Sequence, residues 1–191
     1  MKKNVLIISL IILLCLTGCG KKITGIENAR TNKNNVICSR SKELNYEDLE
    51  ALRKQKEGTY KEESMDVVDS ELNEKMNTKV GTYKQEYVYE FNDKGTKLEK
   101  IYLIITSTFT HEDVTTDLLE ANKTYLENYY KNSSEYSDYK ITIDNKSIIR
   151  ELTINMDKVT DKDSLKVSKE ELINRYSTNS TEEYSIICKS N

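Results

Sequence analysis

The stretch TYKQEYVYEFNDKGTKLEKIYLIITSTFT, Thr82 to Thr110, constrains the fold more than any other part of the chain. Tyr83, Gln85, Tyr87, Tyr89 and Phe91 alternate with Lys84, Glu86, Val88 and Glu90, the period of two that marks a half-buried strand. Asn92 to Gly95 supply a turn, and a second run places Ile101, Leu103, Ile105 and Phe109 on one face. Two alternating runs joined by a short turn pair antiparallel. The apolar centre of the second run belongs in the middle of a sheet, so the sequence demands an antiparallel sheet with one covered face.

The flanking segments supply the cover. Asn45 is placed to cap a short helix through NYEDLEALRKQK, with Leu49 and Leu52 on one side. The segment SMDVVDSELNEKMN reads equally as a helix or a loop insertion bracketed by Gly58 and Gly81. From Asp113 the period changes, and Val114, Leu118, Ala121, Tyr125 and Tyr129 recur at helical spacing. A second hairpin follows, DYKITID and SIIRELTINMD around Asn145 and Lys146, with Ile141, Ile143, Ile148, Leu152, Ile154 and Met156 directed inward. Ser168 and Glu171 form a capping box, and Val167 can staple onto Leu172, which starts another helix. The closing EYSIICK is a strand with Tyr184, Ile186 and Cys188 on one side, beside the opening strand NNVICSRS. Paired strands separated by single helices give an α+β domain, an antiparallel sheet with two or three helices packed on one face.

The amino terminus is separate from this pattern. MKKN precedes an apolar run from Val5 to Leu16, shorter than the roughly 20 residues that cross a bilayer, and residues 1–18 read as a signal peptide. The following Leu16-Thr17-Gly18-Cys19 resembles the lipobox of bacterial lipoproteins. That resemblance implies a diacylglyceryl group on the Cys19 thiol, cleavage before Cys19, and a mature protein anchored to the membrane without spanning it. Residues 19–35 are polar and read as a flexible tether, leaving 36–191 as one domain. Of four cysteines, Cys15 then departs with the signal peptide and Cys19 carries lipid. The remaining Cys38 and Cys188 are expected to bridge in an exported domain, the alternative being two small buried hydrophobes.

The mature chain also resembles small YehR-like lipoproteins, through Cys38, the hairpin from Tyr89 to Gly95, the IDNKSII turn and the ending from Tyr184 to Lys189. The resemblance implies fold and location and carries no activity, and relative to its pattern 45–80 is a possible insertion.

Little in the sequence speaks for catalysis. Charge is nearly balanced, 29 basic against 32 acidic residues, so no basic footprint for nucleic acid exists. No glycine follows Gly95, which removes phosphate-cradling loops from the second half. His111 is the only histidine and reads as a surface residue before a helix. Asp161 and Asp163 start like a calcium loop, but Leu165 occupies a ligand position, so no metal or other cofactor is expected. Thirteen tyrosines stand against two phenylalanines. A ligand groove lined by Tyr83, Tyr87, Tyr89 and Tyr102 is the weak candidate site, the alternative being tyrosine on half-buried faces. The expectation is a non-enzymatic binding or interaction module held outside the cytoplasm by a lipid anchor, its protein, peptide or glycan partner unspecified. The alternatives are an envelope-polymer hydrolase working through carboxylates and a structural envelope protein.

Overall fold

The computed structural model describes residues 25–58, 78–163, 165–178 and 186–190. The order is α1 (Ile26–Thr31), β1 (Val36–Asn45), α2 (Tyr46–Glu57), β2 (Lys79–Phe91), β3 (Leu98–Phe109), α3 (Thr116–Asn132), β4 (Tyr136–Asp144), β5 (Ser147–Ile154), α4 (Lys169–Thr178) and β6 (Ile187–Ser190). A single 3-10 turn, Met156–Lys158, follows β5. The six strands form one antiparallel sheet ordered β4-β5-β3-β2-β1-β6. The fold is therefore α+β, as the sequence pattern requires.

The hairpin of β2 and β3 forms the centre, with Tyr87 opposite Leu103 and Gln85 opposite Ile105. Its turn closes with Gly95 at φ 65° donating its N–H to the Asn92 carbonyl at 2.8 Å. That backbone conformation costs glycine least. The second hairpin turns at Asn145, also at positive φ, and sets Ile143 opposite Ile148.

Alternation divides the sheet into two faces. On the near face, α2 contributes Leu49 and Leu52, and α3 contributes Leu118, Leu119, Leu126 and Tyr130. These close over Leu103, Ile105, Phe109, Ile141, Ile148 and Leu152. Fully burying one such side chain contributes about 1.5–3 kcal/mol. Helix α4 covers the other end of this face, where Val167 and Leu172 join Val36, Cys38, Tyr89, Phe91 and Leu98.

Caps set where the helices begin. The Asn45 side chain accepts the Asp48 N–H while Asp48 accepts the Asn45 N–H. Ser168 and Glu171 make the same reciprocal pair ahead of α4. Thr115 caps α3 by accepting the Leu118 N–H at 3.3 Å.

Two sequence expectations need correction. Residues 19–35 are not a tether throughout, because Ile26–Thr31 form α1 and pack on the far face of the sheet. Ile26 and Ala29 are buried there against Ile37, Val88, Tyr102 and Ile104. Those apolar residues face away from the other helices and would otherwise meet water. The buried Asn35 completes the join, donating to the Ala29 carbonyl at 2.8 Å and accepting the Phe91 N–H at 3.1 Å. The folded body therefore starts before residue 36. The second correction concerns α3, whose buried side is Leu118, Leu119, Asn122, Leu126 and Tyr130. Tyr125 and Tyr129 are exposed. The amphipathic tyrosines drew the expected face about one residue away from the leucines that fill the core. The segment SMDVVDSELNEKMN lies outside the described residues.

Candidate functional site

Polar side chains interrupt the apolar surface of the near face. Arg40 on β1 lies opposite Gln85 on β2, Gln85 opposite Ile105 on β3, and Ile105 opposite Arg150 on β5. Three polar side chains therefore share one row across four strands, at inward positions of the alternation. Over this row opens a cavity of about 690 Å³ between the sheet, α2 and α3. That volume is typical of sites for small organic ligands.

The lining divides by chemistry. Leu44, Ala51, Leu52, Phe109, Leu126 and Ile148 give apolar walls. Arg40, Lys42 and Arg150 bring positive charge, and among the described residues Asp48 is the one carboxylate of the lining. Asp48 is already engaged, since it accepts the Asn45 N–H at 2.9 Å and stands 3.5 Å from the Lys42 ammonium. Asn122, which is buried, donates to Gln55 at the helix-helix side of the cavity.

Hydrogen bonds fix the floor. The Arg40 Nε–H donates to Gln85 Oε1 at 2.6 Å, and Gln85 Nε2 donates to the Tyr87 hydroxyl at 2.8 Å. The Tyr83 hydroxyl is 3.4 Å from the same Gln85 oxygen. Gln85 is itself buried, so its amide is oriented by partners on both sides. Burial raises the Tyr87 pKa above the ordinary phenol value, and Arg40 opposes that rise. Tyr87 therefore stays a neutral hydroxyl at physiological pH.

Arg150 differs from every other member. Among the described residues its buried Nε has no hydrogen-bond partner and no ion pair includes it. A buried charged donor left unpaired costs on the order of 1–3 kcal/mol. The fold tolerates that cost at the floor of an open cavity.

The tyrosines foreseen as a groove separate. Tyr83, Tyr87 and Tyr89 succeed one another on the near face, where Tyr87 and Tyr89 stack at 6.0 Å. Of these, Tyr83 lines the cavity, while Tyr89 is buried and bonded to the Tyr176 hydroxyl at 3.1 Å. Tyr102 is on the opposite face, since it lies across from Val88. It is buried under α1 and donates to Glu90 at 2.9 Å; burial, then that bond, pushes its pKa up to about 12. A groove of all four therefore does not exist, because Tyr102 falls on the even-numbered side of β3.

Cys38 and Cys188 form a disulfide with Cα atoms 4.0 Å apart, directly opposite one another on β1 and β6. Cys19 and Tyr184 lie outside the described residues. His111 stands outside the cavity, edge-on to the Tyr46 ring at 5.8 Å and 3.6 Å from Asp113, which Arg53 holds at 2.7 Å. It is half-buried, where a surface position was expected. Among the described residues no group of three side chains could hold a metal ion, and no helix is long and apolar enough to cross a membrane.

Sequence reasoning missed the arginines. The available signal was a charged residue at an inward strand position: Arg150 lies between Ile148 and Leu152 in the alternation, and Arg40 follows Cys38. No family model, curated protein or solved structure matches the chain.

Proposed function

We propose that the protein is a lipid-anchored, extracytoplasmic binding module whose ligand sits in the cavity between α2, α3 and the sheet. The observation that carries this reading is Arg40 and Arg150 at inward strand positions, both lining open space beside apolar walls, with Arg40 held by the buried Gln85. Polar groups placed at the base of an apolar pocket fix a ligand's orientation and supply specificity. Binding is favoured over glycosidic hydrolysis because that chemistry uses two carboxylates flanking the bond. Among the described residues the cavity lining has Asp48 as its one carboxylate, and it serves a helix cap.

The anchor reading rests on Leu16-Thr17-Gly18-Cys19. Because Gly25 already belongs to the folded body, the chain from Cys19 to Gly25 spans at most ~20 Å when extended. The domain would then ride close to the headgroups. Labelled fatty acid fed to cells should enter the protein and be lost in Cys19→Ala; retained label would contradict the anchor.

The binding reading has its own test. A chemically broad fragment set is screened by ligand-observed NMR against the full lipidated chain in phosphatidylcholine nanodiscs. The same screen is run on Ala51→Trp, which fills the cavity from α2. Fragments that bind wild type, fail on Ala51→Trp and remain chemically unchanged over hours are expected. Hits indifferent to Ala51→Trp, or fragments cleaved with time, would overturn the reading.

A further inference from the structure

We infer that the cavity is built for an amphipathic organic anion, an apolar body ending in a carboxylate or phosphate group, with that group seated against Arg150 and Arg40. This rests on the binding reading above and names its ligand class.

Charge supports it first. Among the described residues the lining sets three cations against one carboxylate, and the carboxylate is occupied by Lys42 and the Asn45 N–H. Neither arginine has an ion-pair partner among the described residues. Guanidinium groups match carboxylate and phosphate oxygens with paired N–H donors. The buried, unpartnered Nε of Arg150 is a donor that a bound oxyanion would satisfy. Position supports it next. Arg40 is already held by its Nε bond to Gln85 Oε1, which keeps its terminal nitrogens available as donors. The two arginines lie on β1 and β5, flanking β2 and β3, so they approach the cavity floor from two sides. Shape completes the case, since Leu52, Phe109, Leu126 and Ile148 leave apolar walls for the rest of the molecule. A neutral acceptor could take the Arg150 Nε–H but would leave the guanidinium charge uncompensated, and a cationic ligand would be repelled.

The test uses the full lipidated chain in phosphatidylcholine nanodiscs with four probes of one shape: cyclohexanecarboxylate, cyclohexyl phosphate, cyclohexanol and cyclohexylamine. At least one anion is expected to bind tenfold or more tightly than the alcohol, and the amine least. Arg150→Gln and Arg40→Gln are each expected to weaken the anion by roughly tenfold or more, the worth of a hydrogen bond to a charged group. Folding of each variant is checked by its melting temperature, and Arg150→Leu serves where Gln fails to fold. Nanodiscs containing phosphatidylglycerol separate the sources: displacement of the anionic probe assigns the site to a lipid headgroup, and unchanged binding assigns it to a soluble anion. Alcohol binding equal to the anions, lost in Ala51→Trp, would keep the cavity as a binding site and overturn the anion. Anion binding unchanged in folded Arg150 and Arg40 variants would overturn it equally.

Discussion

The two ends of the helix-covered face are built in opposite ways. Under α4 the sheet is closed: Val36, Cys38, Tyr89, Phe91, Leu98 and Leu172 fill the layer, and the disulfide joins β1 to β6 at its margin. Between α2 and α3 the layer stands open over Arg40 and Arg150. One strand serves both, since β1 supplies Cys38 to the closed end and Arg40 to the open one. The contrast teaches where the fold invests in stability and where it gives some up. Unfilled volume and an unpartnered buried Arg150 Nε are costs that a purely structural sheet face would shed.

The largest expected effect lies at the closed end. Removing the Cys38–Cys188 bond, by reduction or by Ser at both positions, is expected to cost about 2–5 kcal/mol, because it closes a sequence separation of 150 residues. Thermal unfolding followed by circular dichroism measures it. If the ends are independent, reduction below the new melting temperature leaves cavity binding intact; loss of both together would break the comparison.

A smaller effect of opposite sign is expected at the open end. Arg150→Leu should raise stability by about 1 kcal/mol, since it exchanges an uncompensated buried donor for an apolar group beside Ile105 and Ile141. The same variant should lose anionic probe binding. Destabilisation by Arg150→Leu would mean that the guanidinium serves the fold.

The smallest effect concerns pH at the cap of α4. The Ser168 backbone N–H, then its hydroxyl, hold the Glu171 carboxyl below its usual value of 4.5. A carboxyl whose folded pKa is lowered contributes stability above its unfolded pKa, and that contribution is lost as pH falls through the folded value. The first turn of α4 should therefore fray in acid below about pH 4.5. The Ser168 amide shift follows this, and Glu171→Gln should remove the acid step.

The central hairpin was legible because alternation of single residues reports directly which side is buried, and Tyr87 and Leu103 fall where that period puts them. Both capping boxes were within reach for a local reason, being complete within four residues. Helix α1 was hidden because only Ile26 and Ala29 of its six residues are buried among polar neighbours. Its role depends on a far face, Val88 with Tyr102 and Ile104, that sequence alone leaves to solvent. The cavity was hidden for a related reason. Arg40, Gln85 and Arg150 come together through strand order, with β5 placed beside β3 and β1 beside β2, and periodicity within one strand does not reveal order across several. Tyrosine, prominent by number, pointed partly elsewhere: Tyr89 closes the dry end and Tyr102 supports α1.

The central claim is that the lone donor of Arg150 waits for an oxyanion, and the Nε–Hε resonance of that side chain reads it directly. In full-length protein labelled with nitrogen-15, cyclohexanecarboxylate or cyclohexyl phosphate is titrated while this signal is followed, assigned by its absence in Arg150→Leu. A saturable downfield shift of Hε, absent with cyclohexanol and lost when Ala51→Trp fills the cavity, is the expected result. An Nε–Hε signal that stays fixed at saturating concentrations of both anions would contradict the claim.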